Sequence, residues 1–141
     1  MNKQKELPIG SCIGILGGGQ LGRMLSLSAS QLGLKTHIYD PEIDAPAKQV
    51  TNLSSTFEYD DIKNLESFAN KVDVITYEFE NIPLETIKFC QNLKSVYPNS
   101  KSLGICQDRI NEKKFLNSIG VETVKFEMAS SYEEIKIAIE D

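Results

Sequence analysis

Cys12-Ile13-Gly14-Ile15-Leu16-Gly17-Gly18-Gly19-Gln20-Leu21-Gly22-Arg23-Met24 is the stretch on which the fold turns. A short apolar run, Cys12–Leu16, ends in consecutive glycines, and an apolar pattern of longer period begins immediately after them. That succession predicts a strand, a tight turn and the N-terminus of a helix. Gly17, Gly19 and Gly22 satisfy G-x-G-x-x-G. In such a turn the first glycine allows the sharp bend and the second leaves no Cβ between backbone and ligand. The third lets the helix lie close against the strand. The first helical N–H groups have no partner inside the helix and point outward with the positive end of its dipole, which favours an anion there. A glycine-rich turn that merely packs well is the plainer reading. The strand before it and the helix after it favour a ligand site.

Outward from this stretch the chain alternates between strand and helix. Residues 1–10 read as a loose leader. The first helix is expected from Gln20 to Leu32, with Leu21, Met24, Leu25, Ser28 and Leu32 on one stripe and Gly33 as its stop. Lys35–Tyr39 is a second strand, closed by Asp40-Pro41, and Glu42–Gln49 is a loop with one helical turn. Val50–Ser55 supplies a short third strand, and Asp60 or Asp61 caps a helix through Lys71 whose apolar face is Ile62, Leu65, Phe68 and Ala69. Val72–Tyr77 is β-branched and reads as a strand bounded by Glu78-Phe79-Glu80-Asn81. Pro83 suits the first turn of a helix reaching Leu93. Val96–Tyr97 is a short strand, Ser102–Cys106 a helical turn, and Asp108 to Ser118 a helix stopped by Gly120. A last strand is expected near Val124–Met128. Ser131 with Glu134 then forms a capping box for a helix running to Asp141.

Strands separated by helices imply an α/β fold, a Rossmann-like parallel sheet with helices on both faces. The ligand crevice of such a sheet lies outside the carboxyl ends of its strands. The glycine turn, Asp40 and Glu78–Asn81 should all end there.

Composition sets the bounds. The chain has 141 residues, 40% hydrophobic and 25% charged, as expected of a soluble globular protein with one respectable core. A net charge of −5 disfavours nucleic acid or an anionic membrane as the main partner. No apolar stretch is long enough to cross a bilayer, and Met1–Glu6 lacks the apolar core of a signal peptide, so a cytoplasmic protein is expected. Cys12, Cys90 and Cys106 are odd in number and far apart, which predicts three reduced, mostly buried thiols and no metal site. His37 has no neighbouring His or Cys and reads as structural.

Asp40 follows the second strand about 20 residues beyond the glycines, where a dinucleotide-binding fold keeps an acid for ribose hydroxyls. By that spacing alone the first 40 residues say NAD. A turn-capping role for Asp40 stands at equal weight. Glu78 and Glu80 alternate along an extended stretch and point to opposite sides, so one of them faces the crevice. A carboxylate there can accept from two sugar hydroxyls. Two solvated turn acids are the plainer alternative. Asp108-Arg109, by pattern alone, is a helix cap followed by a surface arginine.

Three segments occur in a telling order and spacing: Gly17-Gly18-Gly19-Gln20-Leu21-Gly22-Arg23-Met24, Thr76-Tyr77-Glu78-Phe79-Glu80-Asn81-Ile82-Pro83 and Gln107-Asp108-Arg109-Ile110-Asn111-Glu112-Lys113. Together they resemble the N-terminal, pre-ATP-grasp domain of the 5-(carboxyamino)imidazole ribonucleotide synthetases, the ATPase subunits of phosphoribosylaminoimidazole carboxylase. The resemblance runs from about Ile13 onwards. It implies an ATP-grasp carbon–nitrogen ligase of purine biosynthesis that carboxylates 5-aminoimidazole ribonucleotide using bicarbonate, ATP and Mg2+, and that forms a homodimer. It further implies that the glycine-rich domain holds the ribonucleotide instead of NAD. Gly19, Gln20 and Leu21 would then lie at the substrate, with Asp40 and Glu80 beside it, Glu78 on the ribose hydroxyls and Arg109 at the ATP.

The same resemblance divides the chain into a leader (1–10), a Rossmann-like substrate-binding domain (11–106) and the truncated start of an ATP-grasp region (107–141). Family members continue with a Gly-rich phosphate loop, a lysine and magnesium ligands that these residues do not offer. The chain alone is therefore expected to be inactive, with no catalytic residue of its own and no cofactor bound. Two alternatives stay open. One is an NAD(P)-binding oxidoreductase domain. The other is a non-catalytic nucleotide-binding module.

Overall fold

The structure is a computed structural model and describes residues 6–140. It divides into two compact units, meeting in sequence between Gly104 and Ile105.

The first unit is built on a four-stranded parallel sheet in the order β3-β2-β1-β4, from β1 (Cys12–Leu16), β2 (Lys35–Tyr39), β3 (Leu53–Ser55) and β4 (Val74–Tyr77). The chain runs outward from β1 to β3 and then returns to place β4 on the other side of β1. In an open α/β sheet that reversal is where a crevice opens, at the carboxyl ends of the two strands it separates. Register puts Ile15 beside Ile38 and Leu16 beside both Tyr39 and Tyr77. Because side chains alternate across a strand, neighbouring residues feed opposite faces. Leu16, Tyr39 and Ile75 join Leu65, Phe68, Ile87 and Cys90 in the larger core, whereas Ile15 and Ile38 meet Ala47 in a smaller one. Val96 extends the β4 edge by a single parallel bridge to Ile75. The Val96–Tyr97 strand of the sequence is therefore one ladder rung.

The helices are α1 (Gln20–Gln31), α2 (Ile62–Ala69), α3 (Leu84–Leu93) and α4 (Ser100–Cys106), with one 3-10 turn at Pro46–Gln49. Asp61 caps α2 by accepting from the Asn64 N–H at 3.1 Å. Leu65, Phe68 and Ala69 are buried, while Ile62 at the start of the expected face is exposed.

α1 departs from the expectation. Its inward face is Gly22, Ser26 and Ala29, and the stripe of Leu21, Met24, Leu25 and Leu32 is exposed. The cause is distance. A Cβ on Gly22 would lie 2.9 Å from the Gly17 carbonyl oxygen, so the helix sits too close to the strand end for large side chains between them. Hydrophobic periodicity selects the largest apolar residues and is blind to this need for small ones.

The second unit contains α5 (Arg109–Ser118) and α6 (Tyr132–Glu140). Asp108 caps α5 by accepting from the Asn111 N–H at 2.7 Å. Ser131 accepts from the Glu134 N–H at 3.2 Å, and Glu134 reaches back to the Ser130 N–H, which forms the expected reciprocal cap one residue earlier on one side. The strand expected near Val124–Met128 is absent: the segment has no regular secondary structure. A strand exists only by pairing, and this unit's elements are helices that offer it no ladder. Among the described residues the three cysteines are free, with Cys12 and Cys90 buried and Cys106 exposed.

Candidate functional site

The glycine turn leaves β1 with Gly17 at φ +102°, a conformation that strongly favours glycine, and enters α1 through Gly19. It presents a series of backbone N–H donors at the positive end of α1. Two carboxylates of the chain itself take them. Glu78 Oε1 accepts from the Gly19 N–H at 2.8 Å and Oε2 from the Gly22 N–H at 2.6 Å. Asp40 Oδ2 accepts from the Gly18 N–H at 2.6 Å.

Topology brings them there. Glu78 follows the last residue of β4, whose partner is β1, and its own N–H donates to the Leu16 carbonyl at 3.1 Å. Asp40 follows the last residue of β2 on the other side of β1. The acids therefore approach the turn from both flanks. This places Gly17, Gly19, Gly22, Asp40 and Glu78 in one cluster at the carboxyl ends of the strands. The position that a dinucleotide's pyrophosphate takes in a related fold is filled by a side chain, so the geometry does not favour NAD.

Asp40 is 8% exposed and its carboxylate accepts three hydrogen bonds from the chain itself. Oδ1 accepts from the Glu42 N–H at 2.8 Å, and Oδ2 also accepts from the Tyr59 hydroxyl at 3.2 Å. Burial, and then the Asp40 charge beside it, push the Tyr59 hydroxyl far above the usual tyrosine range. It stays a proton donor. Lys48 ties down the loop after β2, donating to the carbonyls of Asp40 and Glu42 and to Thr56 Oγ1 at 2.8, 2.5 and 2.8 Å. Burial lowers its pKa, opposed by Asp40, Glu42 and Asp44. Tyr59 and Lys48 were not legible as site residues. Neither lies in a motif, and only the folded loop brings them to Asp40.

A cleft of about 220 Å³ opens over the cluster, lined by Gly19, Asp40, Glu42, Ala45, Pro46, Glu78 and Phe79. Glu78 is half-buried, and each of its oxygens keeps acceptor capacity beyond the one backbone bond it makes. Gln20 and Leu21 form the exposed first turn of α1, and Glu80 is exposed beyond β4. Arg109 belongs to the second unit, where it pairs with Glu112 at 2.6 Å. Among the described residues no group of three His, Cys, Asp or Glu could hold a metal ion. Nor is any helix in them long and apolar enough to cross a membrane.

A parallel α/β sheet with a glycine-rich turn at its switch point and an acid seated against that turn defines a Rossmann-like domain. The family model of the ribonucleotide synthetase pre-ATP-grasp domain matches residues 11–107, and the chain belongs to that family. It is 44% identical over 139 residues to the N5-carboxyaminoimidazole ribonucleotide synthase of Brucella melitensis, covering 99% of this chain and 38% of that protein. It also matches a crystal structure of an N5-carboxyaminoimidazole ribonucleotide synthetase in complex with ADP. There the TM-score is 0.90 and the identity 33%, covering 97% of this chain and 36% of that one. The Aspergillus clavatus N5-carboxyaminoimidazole synthase in complex with ADP and 5-aminoimidazole ribonucleotide matches with TM-score 0.79 and 25% identity, over 94% of this chain and 36% of that one. The chain thus spans just over a third of the length of these relatives.

Proposed function

We propose that this chain is the pre-ATP-grasp, ribonucleotide-holding part of an ATP-dependent ligase that carboxylates 5-aminoimidazole ribonucleotide with bicarbonate in purine biosynthesis. The observation that carries the reading is the Glu78 carboxylate, pinned by two backbone N–H groups at the floor of a cleft. A ribose presents two adjacent hydroxyls, and a fixed carboxylate with spare lone pairs accepts from both. The relatives named above and their complexes with nucleotide and ribonucleotide support this assignment.

In this reading Glu78 reads the diol, while the Gly19, Gln20 and Leu21 backbone lines the sugar's approach. Asp40 acts by holding Gly18 and the loop through Glu42, and Glu80 lies at the rim. Arg109 contributes to the ATP site. ATP with Mg2+ supplies the phosphoryl group that makes bicarbonate, a poor electrophile, reactive. In this reading the residues of this chain bind and position the ribonucleotide. The homodimer and the cytoplasmic location belong to the same proposal.

Steady-state kinetics of the whole ligase carrying Glu78→Ala test it. The KM for the ribonucleotide should rise about 5- to 150-fold, the equivalent of 1–3 kcal/mol for sugar hydroxyls left without their acceptor, with the KM for ATP unchanged. An unchanged ribonucleotide KM and turnover would refute the assignment.

A further inference from the structure

We propose that Glu78 decides which group of a ligand the glycine-rich turn accepts: its carboxylate is a built-in anion that bars phosphate and pyrophosphate groups and leaves the turn to neutral hydroxyl groups. Three independent observations converge on this role.

The first concerns donors. An anion bound at a helix N-terminus is held by the outward-pointing N–H groups of the turn. Here the N–H groups of Gly19 and Gly22 end on Glu78 and that of Gly18 ends on Asp40. An incoming phosphate would find these donors taken and two carboxylates beside it.

The second concerns space. A Cβ placed on Gly17 would collide with Glu78 Cγ, and one on Gly19 would lie 2.6 Å from Glu78 Oε1. The Cβ-less hollow that a dinucleotide fold reserves for close approach of pyrophosphate is therefore filled, and the side chain filling it comes from the neighbouring strand. Gly17 and Gly19 are thus required by Glu78 itself.

The third concerns rigidity. Glu78 is joined to β4 and its N–H is bonded to Leu16, so the carboxylate is delivered by the sheet. Glu78 stands at the first position after β4, tied to the end of β1 through its own N–H. A diol can add its hydroxyls to lone pairs that the backbone leaves open, whereas a phosphate must displace the whole group against like charge.

This inference concerns the turn's choice between anion and hydroxyl, and it holds for any sugar ligand. Its test uses pyrophosphate alone, so it can fail while the ribonucleotide kinetics hold, and the reverse. Wild-type chain, Glu78→Ala and Glu78→Gln would be titrated calorimetrically with sodium pyrophosphate at constant ionic strength, with thermal unfolding followed in parallel. Glu78→Ala should bind pyrophosphate at least tenfold more tightly than wild type and gain several degrees of melting temperature at saturation, as expected for a ligand held only by the folded state. Glu78→Gln, which keeps the bulk and loses the charge, should show the same gain in smaller measure. If Glu78→Ala unfolds in plain buffer, folding restored by pyrophosphate supports the proposal. Equal affinity in all three proteins overturns it, as does a Glu78→Ala variant that stays unfolded with pyrophosphate while Glu78→Gln shows no gain.

Discussion

Replacing Asp40 by Ala should destabilise the ligand-free protein by about 3 kcal/mol, because the structure makes this acid a brace for the turn. The figure follows from its three donors. The Gly18 N–H is buried and donates at 2.6 Å, so removing its acceptor costs about 2–3 kcal/mol, the range for a buried donor that loses a charged partner. The Tyr59 hydroxyl, half-buried and 3.2 Å away, adds about 1 kcal/mol. Glu42 is exposed, and water replaces the carboxylate at its N–H for little cost. Releasing a buried carboxylate offsets part of the sum. The chain has no tryptophan, so the assay is urea unfolding followed by tyrosine near-UV circular dichroism, with no ligand present. Tyr59→Phe should cost about 1 kcal/mol alone and far less in the Asp40→Ala background, since the two share one hydrogen bond. If Asp40→Ala shifts the unfolding free energy by less than about 0.5 kcal/mol, the figure for an ordinary surface substitution, the bracing argument fails.

Two further outcomes follow from other parts of the fold. His37 is 1% exposed, bonded to Ser55 Oγ through Nε2 at 2.8 Å, and burial assisted by Lys71 lowers its pKa from 6.5 to about 4. The unfolded chain therefore takes up the proton first, so the contribution is complete above pH 6.5 and lost as pH falls toward 4. Between pH 7 and pH 5 this amounts to about 2 kcal/mol, and urea midpoints for His37→Asn should show a correspondingly shallower pH slope; equal slopes would refute the reasoning. On α1, Leu25→Lys and Leu32→Lys should each change stability by less than about 0.5 kcal/mol in the same unfolding assay, against the 2–5 kcal/mol that truncating a core leucine costs. A core-sized loss at either position would place the stripe inside.

The strands were readable because each is a short β-branched or apolar run punctuated by glycine, proline or acid. Cys12–Leu16 and Lys35–Tyr39 have the bounds that their residues suggest. Asp40 and Glu78 could be placed at the carboxyl edge by counting along strands, since a parallel sheet delivers every strand end to one side. What they bond there could not be counted. That Glu78 turns back onto Gly19 and Gly22 depends on β4 lying beside β1, a long-range pairing that no local pattern encodes. The facing of α1 was misread for a related reason: which stripe goes inward depends on how near the strand end lies, and the close approach at Gly22 admits only small residues. The missing strand at Val124–Met128 shows the same limit, because β-propensity without a neighbour makes no ladder.

The bond between the turn and its acid also dictates an order of assembly. Gly19 and Gly22 stand 59 and 56 residues before Glu78, so the turn is translated and its helix can begin long before the group that neutralises it exists. Until β4 docks on β1, the amides of Gly19 and Gly22 are open to solvent. Once it docks, they become protected together with the β1–β4 pairing. The exchange of two glycine amides thus reports whether β4 has paired with β1.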